Sequence, residues 1–394
     1  MHHETFGEAL RRHRGTRSLR DVAHLAACAK SLVSYLEHGQ RRPTTEIAAA
    51  LDHALDAGGE LIALAQMEAS GDALAQADAL QRGLADSLAA GPMTDATLAE
   101  WEFTVARHGR ATRYRPEPKL LADLVSDFGD LRQLLAHRHP HAAHRRLTIA
   151  AAQMAGLMAL TLLKLGDDRA RSWWRTGRAA AGAAEDRATL SWIYAQEAYQ
   201  LYYGGDLHGA VECAVRAQQL AGGLPCVGPA LAAPLEARAH AQRGAREDTE
   251  MALRAAETAL GRLPEPDQSA SAFGYSESQL RFHSGNALTH LGDTDRAAAE
   301  QARALELYPV TDRMDIALVR LDQAMCTAVD GDPAAAAALA TRAITDLPPE
   351  HRSALITYRA QQVAHKVPET RELRVLREIL ALPAGERGDE SADQ

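Results

Sequence analysis

Five glycines set a rhythm in the second half of the chain. Gly166, Gly205, Gly244, Gly292 and Gly331 stand at spacings of 39, 39, 48 and 39 residues, and four of them are followed by Asp. A fixed period in this range marks an array of helix–turn–helix units that bury their apolar faces against one another. The units can be compared position by position. Seven residues before each glycine stands a small residue, Ala159, Ala198, Ala237, Gly285 or Ala324, as close helix–helix approach requires. Twelve residues after it stand Arg178, Ala217, Ala256, Ala304 and Ala343, small in all but the first unit. Pro309 and Pro348 follow the last two units and stop their second helices. The single spacing of 48 contains a Pro/Ser-rich insertion near residues 263–271.

The rest of the chain agrees with an all-α fold. Ala, Leu and Arg are abundant and favour helix, and β-branched runs of period two are missing. Lysine is confined to Lys30, Lys119, Lys164 and Lys366, and Asn286 is the sole asparagine. With so much alanine, this is the composition of a GC-rich genome and points to an actinobacterial source. The polar start, MHHETFGEAL, reads as helix rather than as a secretory signal, and no run of eighteen apolar residues exists, so no membrane span is expected. Cys28, Cys213, Cys226 and Cys326 are widely spaced without a C-x-x-C, which suits reduced thiols in the cytoplasm.

Residues 18–42 carry a second signal. Ser18 and Asp21 can cap a first short helix whose buried stripe is Val22, Ala23 and Leu25–Ala26. Ala27-Cys28-Ala29 is small enough for a tight turn. A second helix runs from Lys30 to His38 and stops at Gly39. Val33 and Leu36 share its inner face, while Lys30, Ser31, Ser34 and Tyr35 spread over about 140° of the opposite face. The formal net charge of the chain is −9, but residues 11–42 hold eight Arg/Lys against two acids, a local basic patch of the kind that meets phosphates.

This stretch resembles the helix-turn-helix of the Cro/C1-type (XRE) repressors, over about residues 4–65. The matching residues are Ser18–Ala23 for its second helix, Ser31–Gly39 for its third, and Arg41-Arg42-Pro43 after it. Two positions depart from the pattern: Ala27 stands where Gly is usual, and Ala29 where a capping Ser or Thr is usual. The resemblance implies a DNA-binding domain of five helices: one at 4–14, with Phe6 and Leu10 inward, two in the motif, one at 44–56, and a short fifth at 60–67. It implies that Arg14 pairs with Glu37. It also implies that Lys30, Ser31, Ser34 and Tyr35 read base edges. Ser18, Leu19, Arg20, His38, Gln40, Arg41 and Arg42 would hold phosphates. Such repressors bind operator DNA as dimers.

The repeats resemble tetratricopeptide (TPR) units, longer than usual, and imply a right-handed α-solenoid with a concave groove. Residues 1–67 would then be the helix-turn-helix domain, 68–93 a helical linker, 94–383 a sensor and dimerisation domain, and 384–394 a disordered tail. By the TPR pattern the groove is lined by Trp192, Tyr199, Tyr202 and Tyr203, then Arg238 and Gln242, then Gln279, Phe282, Asn286 and His290. Asn286 and Arg238 fall at equivalent positions of adjacent repeats. An amide can donate to and accept from a peptide backbone, and Arg can clamp a carboxylate. Peptide-sensing regulators with this domain pair use asparagines at such positions.

These observations lead to a DNA-binding regulator, a homodimer whose repeat domain senses a peptide or small molecule. The alternative is a repeat scaffold that recruits a partner protein, with the helix-turn-helix delivering it to DNA or making protein contacts. No catalytic motif stands out: there is no nucleophile elbow, P-loop, dinucleotide turn or carboxylate pair, and no enzyme, cofactor or membrane role is expected. His137, His139, His141 and His144 cluster between two helices and read either as a metal site or as a solvated turn, the turn being the reading taken.

Overall fold

The computed structural model describes residues 4–91 and 93–381. The expected disordered tail, 384–394, lies outside them. The chain forms two compact units, Met1–Gly91 and Pro92–Gln394, and every regular element among the described residues is a helix.

The first unit begins with α1 (Phe6–Arg14), opened by a capping box between Thr5 and Glu8. A second capping box, Ser18 with Asp21, opens α2 (Leu19–Leu25). After a turn comes α3 (Lys30–Glu37), then α4 (Thr45–Leu55), capped by the Thr44 hydroxyl. The last helix, α5 (Glu60–Ala89), starts where the Asp52 carboxylate accepts from the backbone N–H groups of Gly59 and Leu61 at 2.8 and 3.0 Å. Phe6, Leu10, Val22, Val33, Leu36, Leu51 and Leu61 are buried together, each contributing about 1.5–3 kcal/mol by leaving water.

Two sequence expectations change here. Leu25 is 58% exposed. The buried stripe of α2 is Val22, Ala23 and Ala26, whose angular centre lies about 100° away from Leu25 at 100° per residue. The fifth helix does not end at Met67 but runs to Ala89. No proline interrupts residues 68–89, and its alanines favour helix strongly enough to carry Gly71 and Gly83.

The second unit opens with α6 (Asp95–Ala111) and α7 (Glu117–Ala136). Six helical pairs follow. They are α8 (His141–Leu165) with α9 (Ala170–Ala183), α10 (Arg187–Tyr203) with α11 (Leu207–Ala221), and α12 (Val227–Gln242) with α13 (Arg246–Arg262). Then come α14 (Glu277–Leu291) with α15 (Thr294–Leu307), α16 (Arg313–Val329) with α17 (Pro333–Thr345), and α18 (Ala354–Lys366) with α19 (Arg371–Ala381). All five rhythm glycines have positive φ, between 73° and 91°. That region suits glycine, which is why the turns are marked by it. The small residues before them are buried at the pair interfaces. At Gly285 an added Cβ would lie 2.9 Å from the Gln301 side chain of α15.

The first pair keeps the pattern in a shifted register. In the second to fifth units the residue twelve after the turn glycine is a buried alanine. In the first, Arg178 at that position lies at the edge and pairs with Glu197. The buried small residue is Gly177, whose added Cβ would meet Ile193 Cδ1 at 3.2 Å. The buried positions Ala170, Trp174 and Ala181 are each one residue early as well, so the buried face of α9 is set one residue closer to its turn glycine than in the other units.

The second unit closes on itself. α18 packs on α8, and Arg113, between α6 and α7, forms an ion pair of 2.6 Å with Asp315 of α16. The insertion holds a 3-10 turn at Glu265–Asp267 and then passes through the interior. Ser271, Ala272 and Tyr275 are buried, and the Ala272 N–H donates to the Gly109 carbonyl at 2.9 Å. Gly109 is required at that contact, because a Cβ there would lie 2.5 Å from the Phe273 ring. α8 is long and apolar enough to cross a membrane, but 72% of its apolar stretch is buried inside this unit.

Candidate functional site

In the first unit the relation of α1 to α3 is fixed twice. Arg14 donates from Nε to Glu37 Oε1 at 2.5 Å and from Nη2 to Oε2 at 3.1 Å, with Glu37 buried. This two-pronged geometry orients as well as attracts. Beside it, Gly7 lets α1 approach α3 so closely that an added Cβ would lie 2.6 Å from the Leu36 carbonyl. Val33 and Leu36 point into the core, so the opposite side of α3 must face outward.

That outer side carries Lys30, Ser31 and Tyr35, all exposed, with Ser34 half-buried. Tyr35 is 47% exposed, a large ring without an apolar home. Ala29 at the N-cap offers no side-chain acceptor, so first-turn N–H groups of α3 keep their capacity for an anion. His38, Gln40, Arg41 and Arg42 are exposed just after the helix. His38 Nδ1 lies 2.7 Å from the Ser34 carbonyl, which sets its ring against the helix end. Gly39, at φ 65°, turns the chain so that the N–H groups of Gln40 and Arg41 both reach the Tyr35 carbonyl. On α2, Arg20 is exposed and Leu19 half-buried. The Ser18 hydroxyl is engaged with Asp21 at 2.8 Å.

A family model described as a helix-turn-helix domain matches residues 5–65. Residues 5–65 are a helix-turn-helix DNA-binding domain. No curated protein matches the chain, and no solved structure does. The helix-turn-helix domain points to a regulator that binds DNA rather than to an enzyme.

In the second unit most residues expected along a groove converge on one interior. Arg238, 1% exposed, donates from Nε to Asn286 Oδ1 at 2.7 Å and from Nη2 to the Tyr203 hydroxyl at 3.3 Å. Its guanidinium lies 4.6 Å from the Tyr202 ring centre, 5.7 Å from that of Phe282 and 6.0 Å from that of Tyr199. Asn286, fully buried, donates from Nδ2 to both oxygens of Asp322, at 2.9 and 3.0 Å. Asp322 in turn pairs with Arg359 of α18. Gln242 donates to the Tyr202 hydroxyl at 2.5 Å and lies 3.3 Å from His290. The amide of Asn286 is therefore engaged on both sides by this chain.

Trp192 sits apart from that network. Its indole donates to the Ala272 carbonyl at 2.7 Å and its ring lies 4.7 Å from Phe273. The insertion thus covers the aromatic start of the groove. What remains is a cavity of about 110 Å³, bounded by Tyr199, Tyr203, Arg238, Gln279 and Phe282 among the expected residues. It is also bounded by residues that repeat spacing did not single out: Arg113, Lys164, Gln196, His283, Tyr308 and Asp315. Burial, reinforced by Arg238 and Arg113, holds His283 well below the usual histidine range. Burial, with Arg359 and Arg238, pushes His290 down to about 3, so both rings are neutral near pH 7. The histidines at 137–144 do not converge: His139 Nε2 lies 2.7 Å from the Leu134 carbonyl. No group of three metal-ligating side chains occurs among the described residues.

Proposed function

We propose that the protein is a sequence-specific transcriptional regulator that binds operator DNA as a homodimer. The observation that carries this reading is the outer face of α3, where Lys30, Ser31 and Tyr35 are exposed on a helix locked by Arg14–Glu37. A helix of this kind fits the major groove with donors toward base edges. Lys30, Ser31, Ser34 and Tyr35 read bases. Arg20, Arg41 and Arg42, with Ser18, Leu19, His38 and Gln40, meet the phosphates.

Dimerisation draws support from α5. Leu80, Leu84 and Leu88 recur every fourth residue and are 61–69% exposed, an apolar stripe on one helix face. A second copy of the same stripe is its partner in this reading, giving the twofold that two half-sites about 34 Å apart demand. The second unit is a TPR-like sensor. A signal bound within it changes how two DNA heads are spaced, and so shifts the DNA-binding equilibrium. Its partly open cavity, lined by Arg113, Arg238, Lys164 and aromatic rings, supports a ligand role.

The test separates reading from holding. Lys30→Ala should erase discrimination between operator and random duplex. Arg41→Ala should weaken both equally and reduce the salt slope of log K by about 1. Unchanged discrimination in Lys30→Ala would show that α3 does not read sequence through this face.

A further inference from the structure

Three buried polar atoms that border the cavity of the second unit make no hydrogen bond: Arg238 Nη1, Arg113 Nε and the Tyr308 hydroxyl. They come from distant parts of the chain, α12, the α6–α7 connection and the residue after α15. Buried donors left without a partner are costly, and three of them border this one space.

The charges around them differ in how they are satisfied. Arg113 pairs with Asp315 at 2.6 Å. Lys164 donates to the Thr112 carbonyl at 3.0 Å and lies 3.8 Å from Glu117. Asp322, the acid of the Asn286 network, is engaged by Arg359. Arg238 is 1% exposed, and no ion pair to a carboxylate is formed by it among the described residues. Its neighbours are the neutral oxygens of Asn286 and Tyr203 and a set of aromatic rings. A guanidinium presents a fixed fork that matches a carboxylate, and a desolvated one without an acid partner attracts an anion strongly. The rest of the wall combines an apolar part, Leu160, Leu163, Leu231, Phe282 and Leu318, with Gln196, Gln279 and His283.

We propose that this cavity binds a small organic monocarboxylate, its carboxylate on Arg238 and the Tyr308 hydroxyl and its apolar body against the leucine and Phe282 wall. The inference rests on the reading of the second unit as a sensor and names its ligand class. The insertion and α18 form part of the rim and wall: Ser271, Ala272 and Leu355 border the space. A cavity of about 110 Å³ admits a single ring or a short branched chain, not an extended peptide. The protein thus acts as a receptor for one small anion, recognised by charge at one end and shape at the other.

The test uses the full chain and a panel of carboxylates, isovalerate, benzoate and phenylacetate, each beside its neutral amide. Thermal unfolding and calorimetry follow binding. At least one acid should raise Tm while its amide does not, and Arg238→Gln should abolish the shift. Tyr308→Phe guards against a folding artefact. Its hydroxyl has no partner to lose, so Tm without ligand should hold while affinity for the acid falls at least threefold. The proposal is overturned if no acid exceeds its amide, if Arg238→Gln responds as the parent protein does, or if Tyr308→Phe binds unchanged. DNA affinity measured on the same samples separates the two readings. Binding of an acid that leaves DNA affinity unchanged would uphold the site and remove the gating role. Sequence-specific DNA binding with no acid in the panel binding above its amide would leave the helix-turn-helix assignment standing and overturn the site.

Discussion

Ala27 holds the turn between α2 and α3 at φ 48°, in the left-handed region, where an L side chain is strained by about 1–2 kcal/mol. Its replacement by glycine should stabilise the first unit by about 0.5–1 kcal/mol after glycine's own entropy is counted, read by urea unfolding. A loss of stability would mean that the Ala27 methyl makes packing contacts worth more than the strain. The departure was visible in the sequence as an alanine where the resembling family has glycine. The strain itself needed the backbone.

A second residue-scale prediction concerns pH. His290 is pushed down to about 3 and His283 lies well below 6.5 in the folded chain. The unfolded chain titrates its histidines near their ordinary value of about 6.5. Between the folded and unfolded values the unfolded state binds the extra proton, so stability rises with pH through that window and levels off above about 6.5. Each histidine adds a slope of about 1.4 kcal/mol per pH unit at the acidic end. Urea unfolding of His290→Gln should show a shallower loss of stability below about pH 6 than the parent. Parallel pH curves would place His290 in contact with water.

At the scale of elements, the stripe on α5 gives the next prediction. Leu84→Glu should move the protein from dimer to monomer in sedimentation and reduce operator affinity at low protein concentration, without unfolding α1–α4. An unchanged dimer would place the twofold elsewhere. Much of the element pattern was legible beforehand. The turn glycines fell in left-handed turns because that conformation selects glycine, and capping at Ser18 and Asp21 followed from side-chain chemistry alone. Three features were not legible. The length of α5 depends on the absence of a breaker rather than on a positive signal. The one-residue shift of α9 hides behind Arg178, which the repeat frame placed inside. The course of residues 263–276 depends on Gly109 and Trp192, distant in sequence, so no local pattern reveals that an apparent loop becomes an interior wall.

At the scale of the whole molecule, the second unit behaves differently from an open groove. α18 against α8, the Arg113–Asp315 pair and the buried insertion narrow it to a partly open cavity. The groove residues read from repeat spacing come together there, but Asn286 is engaged by Arg238 and Asp322, and Trp192 by the insertion. Side-chain partners of this kind follow from tertiary closure, which repeat spacing does not encode. Arg238, which the repeat spacing puts in the groove, is buried at the cavity with no ion pair to a carboxylate among the described residues.

Whether α3 reads DNA sequence can be measured on the intact protein. The most direct measurement is selection of the purified full chain on random duplexes at two salt concentrations, run in parallel with Lys30→Ala. If α3 reads sequence, the parent protein enriches one motif of two half-sites, weakened at higher salt, and Lys30→Ala enriches none. Retention without enrichment at both salts, the same for parent and variant, would contradict it.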